Sequence, residues 1–364
     1  MTSFVSADLL ALASLSLLPI SWMSDISERL RAGEPAPSLF ARLIAERSSA
    51  DPDRFVWIHN RAIAALDRAT AGHIVPLPWS DVAYPPALAA IVDPPALLWV
   101  RGSADALAAQ PVVAIVGARA ASPYGLAVAE RLAGDLAARG VMIVSGLARG
   151  VDSAAHRGAL AGGGVTVAVL GSGVDVIYPP EHAALTREIA ERGAVVSEFV
   201  PGTPPNPFFF PQRNRIISGL ARAVVVIEAG EKSGSLITAR SALEQGRDVL
   251  AVPGNVLTGR NRGAHGLLRD GAKIVETADD ILEELHLSAG VNLGIPADAS
   301  ESAKAPVDAV LACLTAGEPC DLDEIAERSG LNSARLLPRL FELEVQGLVR
   351  RVGGGRFVRI DRPC

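Results

Sequence analysis

The chain has 364 residues, of which 49% are hydrophobic and 20% charged, enough apolar content for two or three domains with buried cores. Its three cysteines lack the paired spacing of a zinc site or a disulfide framework, so neither a metal nor redox chemistry is predicted. Taken over the whole chain, the net charge of −6 disfavours a nucleic-acid partner. Residues 201–270, however, hold nine Lys or Arg against five Asp or Glu, and this basic segment is where an anion is expected to bind.

The N-terminal segment, residues 1–75, has leucine and isoleucine at helical spacing between proline and glycine breaks, which predicts a small all-helical domain. Its apolar stretch, residues 9–23, is interrupted by serines and lacks a basic leader. We therefore expect neither a signal peptide nor a membrane span, and a cytoplasmic location. The proline-rich segment 76–110 predicts an ordered connector that ends in a short strand, LLWVRG.

The central segment, residues 111–286, contains seven short apolar runs rich in valine and isoleucine, with helical segments between them. The runs are VVAIVG, VMIVSG, VTVAVLG, AVVSE, AVVVIEAG, VLAVPG and AKIV. Runs without polar alternation are typical of parallel strands buried on both faces. The pattern predicts a doubly wound, mostly parallel α/β sheet, and the glycines that follow the runs place tight turns at its carboxyl edge, where such sheets bind ligands.

The C-terminal part begins with a linker, residues 287–305, rich in Ala, Ser, Gly and Pro. Residues 306–364 then show three helical segments and two short strands around a GGG turn. A short helix, a Ser-Gly turn and a second helix from Asn332 or Ser333 give the helix-turn-helix pattern. With the two strands as a wing, this segment predicts a small winged-helix domain.

The first turn of the predicted sheet reads VGARAASPYG. Arg119 occupies the second glycine position of the dinucleotide-binding pattern, which disfavours a nicotinamide cofactor. The turn begins at Gly117, and its backbone N–H groups, the Ser122 hydroxyl and the Arg119 guanidinium together suit a phosphate. In the alternative interpretation, Gly117 only makes the turn and Arg119 is solvated.

The second turn, SGLARGVDSAAH, has Gly146 and Gly150 to free the backbone and Asp152 placed to cap the helix that carries His156. The i, i+4 spacing of Asp152 and His156 could also form a metal or acid–base pair. No third ligand is near in sequence, so capping is favoured.

Two later loops offer further anion contacts. GSGVDVIYPPEH, with Gly171 and Gly173, lacks the third glycine of the dinucleotide pattern and indicates a loop shaped for an anion or for packing. EAGEKSGSLITA lacks the glycine that a P-loop places before its lysine, so ATP hydrolysis is not supported. Lys232, with Ser233 and Ser235 at a helix start, could still contact phosphate, or be a solvated loop lysine.

The stretch FFFPQRNRIISGL, residues 208–220, predicts a helix that begins at Asn214 or Arg215, with Pro211 ahead of it. Such a helix would present Arg213 and Arg215 at its positive end, beside three phenylalanines. Rings stack on unpaired bases and arginines hold phosphates, so this composition favours single-stranded nucleic acid.

In chain order, several strings between residues 75 and 280 resemble the motifs of the DprA/Smf family, the DNA-processing proteins of bacterial natural transformation. The strings are VAIVGARAASPYG, VSGLARGVDSAAHRGAL, VAVLGSGVDVIYPPEH, SEFVPGTPPNPFFFPQRNRIISGL, EAGEKSGSLITARSALEQGRDVLAVPG and GAHGLLRDGA. The resemblance implies an extended Rossmann fold without catalytic activity or cofactor, flanked by a SAM-like helical domain and a winged-helix domain. It also implies that the protein binds single-stranded DNA, protects incoming strands, forms a homodimer and loads the recombinase RecA.

Carried onto this chain, the resemblance implies a specific set of contacts. The resemblance implies DNA contacts by Arg119, Arg213, Arg215 and Lys232, and a pocket wall shaped by Gly117, Gly146 and Gly171. The motifs themselves add Ser122 and Asn214 as expected DNA-binding residues, and Gly150 and Gly173 as pocket-shaping glycines. The sequence departs from the resemblance at His265, which stands where the family usually has asparagine.

Three other interpretations stay open at this point. The phenylalanines could fill the core while the arginines pair with carboxylates such as Glu198 or Glu228. A Rossmann-like nucleotide hydrolase would also use glycine turns and arginines, although its P-G-G-x-G-T loop and following glutamate are absent from the sequence. A ligand-sensing transcription regulator with a winged-helix reader is the third interpretation.

Overall fold

The computed structural model describes residues 6–47, 52–109, 111–287, 309–314, 320–329, 331, 336, 339–340, 343–344, 349–352 and 356–359. The chain divides into two compact units, Met1–Leu293 and Gly294–Cys364.

The first unit opens with helices, as the leucine spacing predicts. They are α1 (Ala7–Leu15), a 3-10 turn (Ile20–Trp22), α2 (Met23–Arg31), α3 (Ala36–Arg47) and α4 (Pro52–Ala71). Leu15, Leu39 and Leu43 from these helices share one core with Leu170 and Val195 of the sheet region. The helices are therefore packed onto the sheet rather than around a core of their own. Among the residues described, no single helix is long and apolar enough to cross a membrane, although α1 and Ile20–Arg31 pass that test together as a pair bent by 116°.

A nine-stranded sheet forms the centre of this unit. Its strands are β1 (Val75–Pro78), β2 (Leu97–Gly102), β3 (Val112–Val116), β4 (Met142–Ser145), β5 (Thr166–Val169), β6 (Ala194–Ser197), β7 (Ala223–Val226), β8 (Asp248–Ala251) and β9 (Lys273–Ile274). The spatial order is β1-β2-β6-β5-β4-β3-β7-β8-β9, with β1–β2 and β2–β6 antiparallel and every other pair parallel. The predicted doubly wound, mostly parallel sheet is confirmed.

Strand β1 was missed within the proline-rich connector because two of its four residues, Pro76 and Pro78, are prolines. It lies at the edge of the sheet, where a strand has a neighbour on one side only and a proline can be accommodated without breaking the hydrogen bonding between strands. The strand predicted for LLWVRG is β2.

The connecting helices lie on both faces of the sheet. They are α5 (Pro86–Ala89), α6 (Pro123–Ala137), α7 (Val151–Ala161), α8 (Ala183–Arg192), α9 (Phe209–Leu220), α10 (Ser235–Glu244), α11 (Arg262–Arg269) and α12 (Ala278–Glu284). One apolar core holds residues of α6, α7 and α12, and another holds residues of α9 and α10 on strands of the same sheet. From β3 the chain builds the sheet outward through β4, and from β7 it builds in the other direction. The crevice at the carboxyl ends of β3 and β7 is therefore the switch point where open α/β sheets bind ligands.

Helix α9 begins earlier than the sequence predicts, at Phe209 rather than at Asn214 or Arg215. Pro211 is its third residue, a position where the missing N–H has no intrahelical acceptor in any case. Arg213 and Arg215 consequently lie inside the helix at buried positions instead of at its positive end. The predicted helix start is wrong because Pro211 lies in the first turn of α9 rather than ahead of the helix.

The second unit contains α13 (Ala309–Ala312), α14 (Leu322–Ser329) and an antiparallel pair, β10 (Val349–Val352) and β11 (Arg356–Arg359). Val310, Ile325 and Phe357 belong to its apolar core. The two predicted wing strands are confirmed, whereas the helix start predicted at Asn332 or Ser333 lies outside the described residues.

Candidate nucleic-acid interface

An open cleft of about 700 Å³ lies at the carboxyl ends of β3 and β7, and we call it the switch-point cleft. It is lined by the first turn, by the buried side of α9 and by the loop before α10. Its charged lining residues are Arg119, Asp152, Arg213 and Lys232. Three cations against one carboxylate make this part of an acidic protein locally positive, which suits an anionic ligand.

Arg213 forms a fixed cation in the floor of the cleft. Its Nη1 donates to the carbonyl oxygen of Gly146 at 2.6 Å and to that of Val169. A Cβ on Gly146 would lie 2.1 Å from this nitrogen, so only glycine admits the guanidinium there. Burial lowers the pKa of Arg213 to about 10, against the opposing effect of Asp152, and the side chain therefore stays charged near neutral pH. Its Nε is buried and has no hydrogen-bond partner among the described residues.

Asp152 holds the second turn rather than capping α7 as predicted. The N-cap of α7 is Gly150, and the Asp152 carboxylate accepts the N–H groups of Gly146 at 3.2 Å and Ala148 at 3.3 Å. His156 instead lies 2.7 Å, through Nδ1, from the Thr166 hydroxyl. Burial lowers the pKa of His156 to about 3, so this imidazole is neutral. In the described part of the chain, no three His, Cys, Asp or Glu side chains are grouped so that they could hold a metal ion.

Arg119 forms part of an exposed platform at the rim of the cleft. Its guanidinium carbon lies 5.2 Å from the centroid of the Phe210 ring, within the range of a cation–π contact. Tyr178 also contacts Phe210, with its ring centroid 5.6 Å from that of Phe210. Phe210 also packs closely on Gly171, where a Cβ would lie 2.9 Å from the ring. Tyr178 was not among the predicted residues; its aromatic ring within the third glycine loop was the available signal.

The three consecutive phenylalanines have three different surroundings. Phe210 belongs to the platform, Phe209 stacks on Phe199 with a centroid separation of 4.3 Å, and Phe208 is 77% exposed. The alternative interpretation, in which the phenylalanines fill the core, is wrong for Phe208, which is exposed. Phe209 and Phe210 are half-buried, so that interpretation holds for them only in part.

The opposite loop of the cleft carries Lys232, whose side chain is exposed. The loop is fixed by a 2.7 Å hydrogen bond between the Ser233 and Ser235 hydroxyls. Asn214 attaches it to α9, because its Nδ2 donates to the Gly234 carbonyl oxygen at 3.3 Å. Asn214 therefore lines the cleft but uses its amide to hold the loop.

Comparison with known proteins then decides the family. Residues 76–286 match the family described as DNA recombination-mediator protein A, and residues 294–355 match the DprA winged helix domain. The chain belongs to this DprA family. The chain is 41% identical to Protein Smf of Escherichia coli over 298 residues, which cover 80% of this chain and 78% of the relative.

Solved DprA structures agree with the fold. The chain is similar to DNA processing protein A from Streptococcus pneumoniae, with a TM-score of 0.67 and 37% identity over 77% of this chain and 98% of that one. It is also similar to DNA processing protein A from Helicobacter pylori, studied for its single-stranded DNA binding mode, with a TM-score of 0.53 and 30% identity. That match covers 58% of this chain and 95% of the Helicobacter chain.

Ser122 does not line the switch-point cleft in this DprA chain. Its hydroxyl accepts the N–H of Gly125 at 3.1 Å as the N-cap of α6 and donates to the Glu228 carboxylate. Its backbone N–H donates to the same carboxylate at 3.1 Å. Glu228, 4% exposed, thus occupies the place at the helix start where a phosphate was expected. We therefore remove Ser122 from the candidate phosphate contacts.

Arg215 is likewise engaged with protein carboxylates. Its Nη1 and Nη2 donate to the two oxygens of Glu198 at 2.9 and 2.7 Å, and its Nε donates to Asp93 at 2.9 Å. Arg215 does not line the cleft. The sequence favours a phosphate role for both Arg213 and Arg215. In the structure only Arg213 lines the cleft, whereas Arg215 pairs with Glu198, as the alternative interpretation of the sequence allowed.

The remaining motif residues shape loops. Gly117 lines the cleft, while Gly150, with φ +77°, brings the second turn onto the first, since a Cβ there would lie 2.2 Å from the Ala118 oxygen. Gly173 packs against Asp175 and the backbone of residue 202. His265 places Nε2 3.1 Å from the Gly254 carbonyl oxygen and does not line the cleft.

Proposed function

We propose that this DprA-family chain binds single-stranded DNA along the switch-point cleft and performs no chemistry on it. One observation supports the proposal above others: the exposed Arg119 guanidinium stacks over Phe210 in a cleft that also holds Arg213 and Lys232. Arginine and lysine bind phosphates without sequence preference, and exposed rings stack on unpaired bases. A single strand offers both groups, whereas a duplex hides its base faces.

The rival proposal, a nucleotide hydrolase, needs a carboxylate that can act as acid or base, and three candidates among the described residues are already engaged. Glu198 is held by Arg215 through two hydrogen bonds, and Glu228 is held by the backbone and hydroxyl of Ser122. Asp152 accepts two backbone N–H groups. A catalytic carboxylate must reach the substrate or its water, and these three are all bound to protein donors.

The wider biological role is part of the same proposal. The relatives from Streptococcus pneumoniae and Bacillus subtilis are DNA processing proteins. We infer that this chain acts on incoming strands during transformation and recombination in the cytoplasm, as a homodimer that delivers them to RecA. Light scattering of the purified protein tests the dimer, and the rate of RecA filament formation on oligonucleotides with and without the protein tests delivery.

The deciding experiment measures binding of fluorescent oligo-dT across a salt series for the wild type, Arg119→Ala and Lys232→Ala. Each variant is expected to bind more weakly and to reduce the slope of log affinity against log salt by about 0.7, the effect of one single-strand phosphate contact. Arg240→Ala is the matched control, because Arg240 is exposed on α10 and paired with Glu244 outside the cleft. Equal affinities and slopes for all four proteins would refute the proposal.

A further inference from the structure

A second cavity, of about 500 Å³, lies where the N-terminal helices meet the sheet, and we call it the N-terminal cavity. Its walls include Trp57 and Arg61 of α4, the stacked pair Phe199 and Phe209, and Gln212 of α9. A mostly apolar cavity of this size with a few polar groups is typical of a small-molecule binding site.

The two cavities share the first turns of α9. Phe210, Arg213 and Asn214 face the switch-point cleft, while Phe209 and Gln212 face the N-terminal cavity. Only the width of one helix, about 10 Å, separates them. Phe208 lies at the N-cap of this helix and is 77% exposed, an unusual position for a large ring.

Two of the polar side chains that line the N-terminal cavity, Arg61 and Gln212, are available to bind a ligand. Within the described residues, neither the Arg61 guanidinium nor the Gln212 side-chain amide has a hydrogen-bond or ion-pair partner. Glu198 also lines the cavity, but Arg215 neutralises it through two hydrogen bonds. Trp57 is 59% exposed and lies one helical turn before Arg61, so a ring and a cation stand on the same side of α4.

We propose that the N-terminal cavity takes a base of the same DNA strand after the strand has crossed Phe208, with Trp57 stacking the base and Arg61 holding its phosphate. The proposal rests on the proposed function of the switch-point cleft. A single strand fits better than a protein segment, because the cavity combines stacked rings, an unpaired cation and an amide that can pair with a base edge.

The test compares oligo-dT binding by the wild type, Trp57→Ala, Trp57→Phe and Val56→Ala. Val56 neighbours Trp57, is 61% exposed and does not line the cavity, which makes it the matched control. Loss of one stacked base should weaken binding about 5- to 150-fold for Trp57→Ala without changing the salt slope, while Trp57→Phe retains most of the affinity. Arg61→Gln should reduce the slope by about 0.7.

Fluorescence supplies an independent measurement. Trp57 is 59% exposed, whereas Trp22 and Trp79 are half-buried and Trp99 is fully buried, so most of the quenching on addition of oligo-dT should come from Trp57 and be lost in Trp57→Phe. Circular dichroism of each variant confirms that it is folded. If Arg119→Ala weakens binding but Trp57→Ala matches Val56→Ala, the second subsite is refuted and the cleft proposal stands. If Arg119→Ala also binds as the wild type, the proposed function itself fails.

Discussion

Replacing Arg215 with alanine should destabilise the protein without affecting its DNA contacts. Its guanidinium is 10% exposed and contacts both oxygens of Glu198, which is 9% exposed, whereas its other partner, Asp93, is 31% exposed. The variant leaves Glu198 as a buried, unpaired charge, while water can solvate Asp93. Breaking a buried ion pair in this way costs about 3–5 kcal/mol of unfolding free energy, a large share of the 5–15 kcal/mol typical of a domain.

The loss should depend on pH. Burial raises the pKa of Glu198, and Arg215 opposes that rise in the wild type. Without Arg215 the folded-state pKa rises further above the unfolded value of about 4.3, so the folded variant binds the proton more tightly than the unfolded chain. Its free energy of unfolding therefore increases relative to the wild type as the pH falls from 7 toward 5.

Urea unfolding at several pH values measures these effects, with oligo-dT binding measured under conditions where each protein is folded. The double variant Arg215→Met/Glu198→Leu is the control, because replacing both partners with apolar residues should recover most of the lost stability. A different result would refute the reasoning: an Arg215→Ala protein as stable as the wild type that binds oligo-dT weakly with a shallower salt slope. Arg215 would then be a phosphate contact.

Two further substitutions separate structural from binding roles. Gly146→Ala should displace Arg213, because the new Cβ would lie 2.1 Å from a nitrogen of its guanidinium. We expect oligo-dT binding to weaken at least tenfold, measured by fluorescence anisotropy. Unchanged affinity would mean that Arg213 does not act in the cleft. Ser122→Ala removes the N-cap of α6 and one hydrogen-bond donor to Glu228. Thermal unfolding should therefore show a loss of about 1–2 kcal/mol in unfolding free energy, with no change in oligo-dT affinity. A loss of oligo-dT affinity would restore Ser122 as a DNA contact.

The parallel strands could be predicted from the sequence. Each is buried on both faces and must be apolar throughout, so each appears in the sequence as a short apolar run. The start of α9 was not readable, since Pro211 is acceptable both before a helix and in its first turn. The proline-containing edge strand β1 escaped for a similar reason, because its composition is that of a connector.

The candidate site was predictable by location but not by partner. The glycine turns and the Arg119 position predicted an anion site at the carboxyl edge, and the cleft lies there. Arg215, however, is 122 residues from Asp93, and Ser122 is 106 residues from Glu228. These long-range contacts decide whether an arginine or a serine is available to a phosphate or is already bound to a carboxylate. Local residue spacing cannot predict them.

The Glu228 carboxylate at the start of α6 has a consequence for ligand selectivity. In dinucleotide-binding proteins the corresponding helix end receives a pyrophosphate. Here a free nucleotide would have to compete with an anion that belongs to the same chain and is already in place. Displacement would also leave a buried carboxylate without its donors. In the proposed binding mode a DNA strand avoids this competition, because its charges would be distributed along the cleft rather than concentrated at one helix end. We therefore expect the protein to remain available to DNA even when mononucleotides and dinucleotide cofactors are abundant.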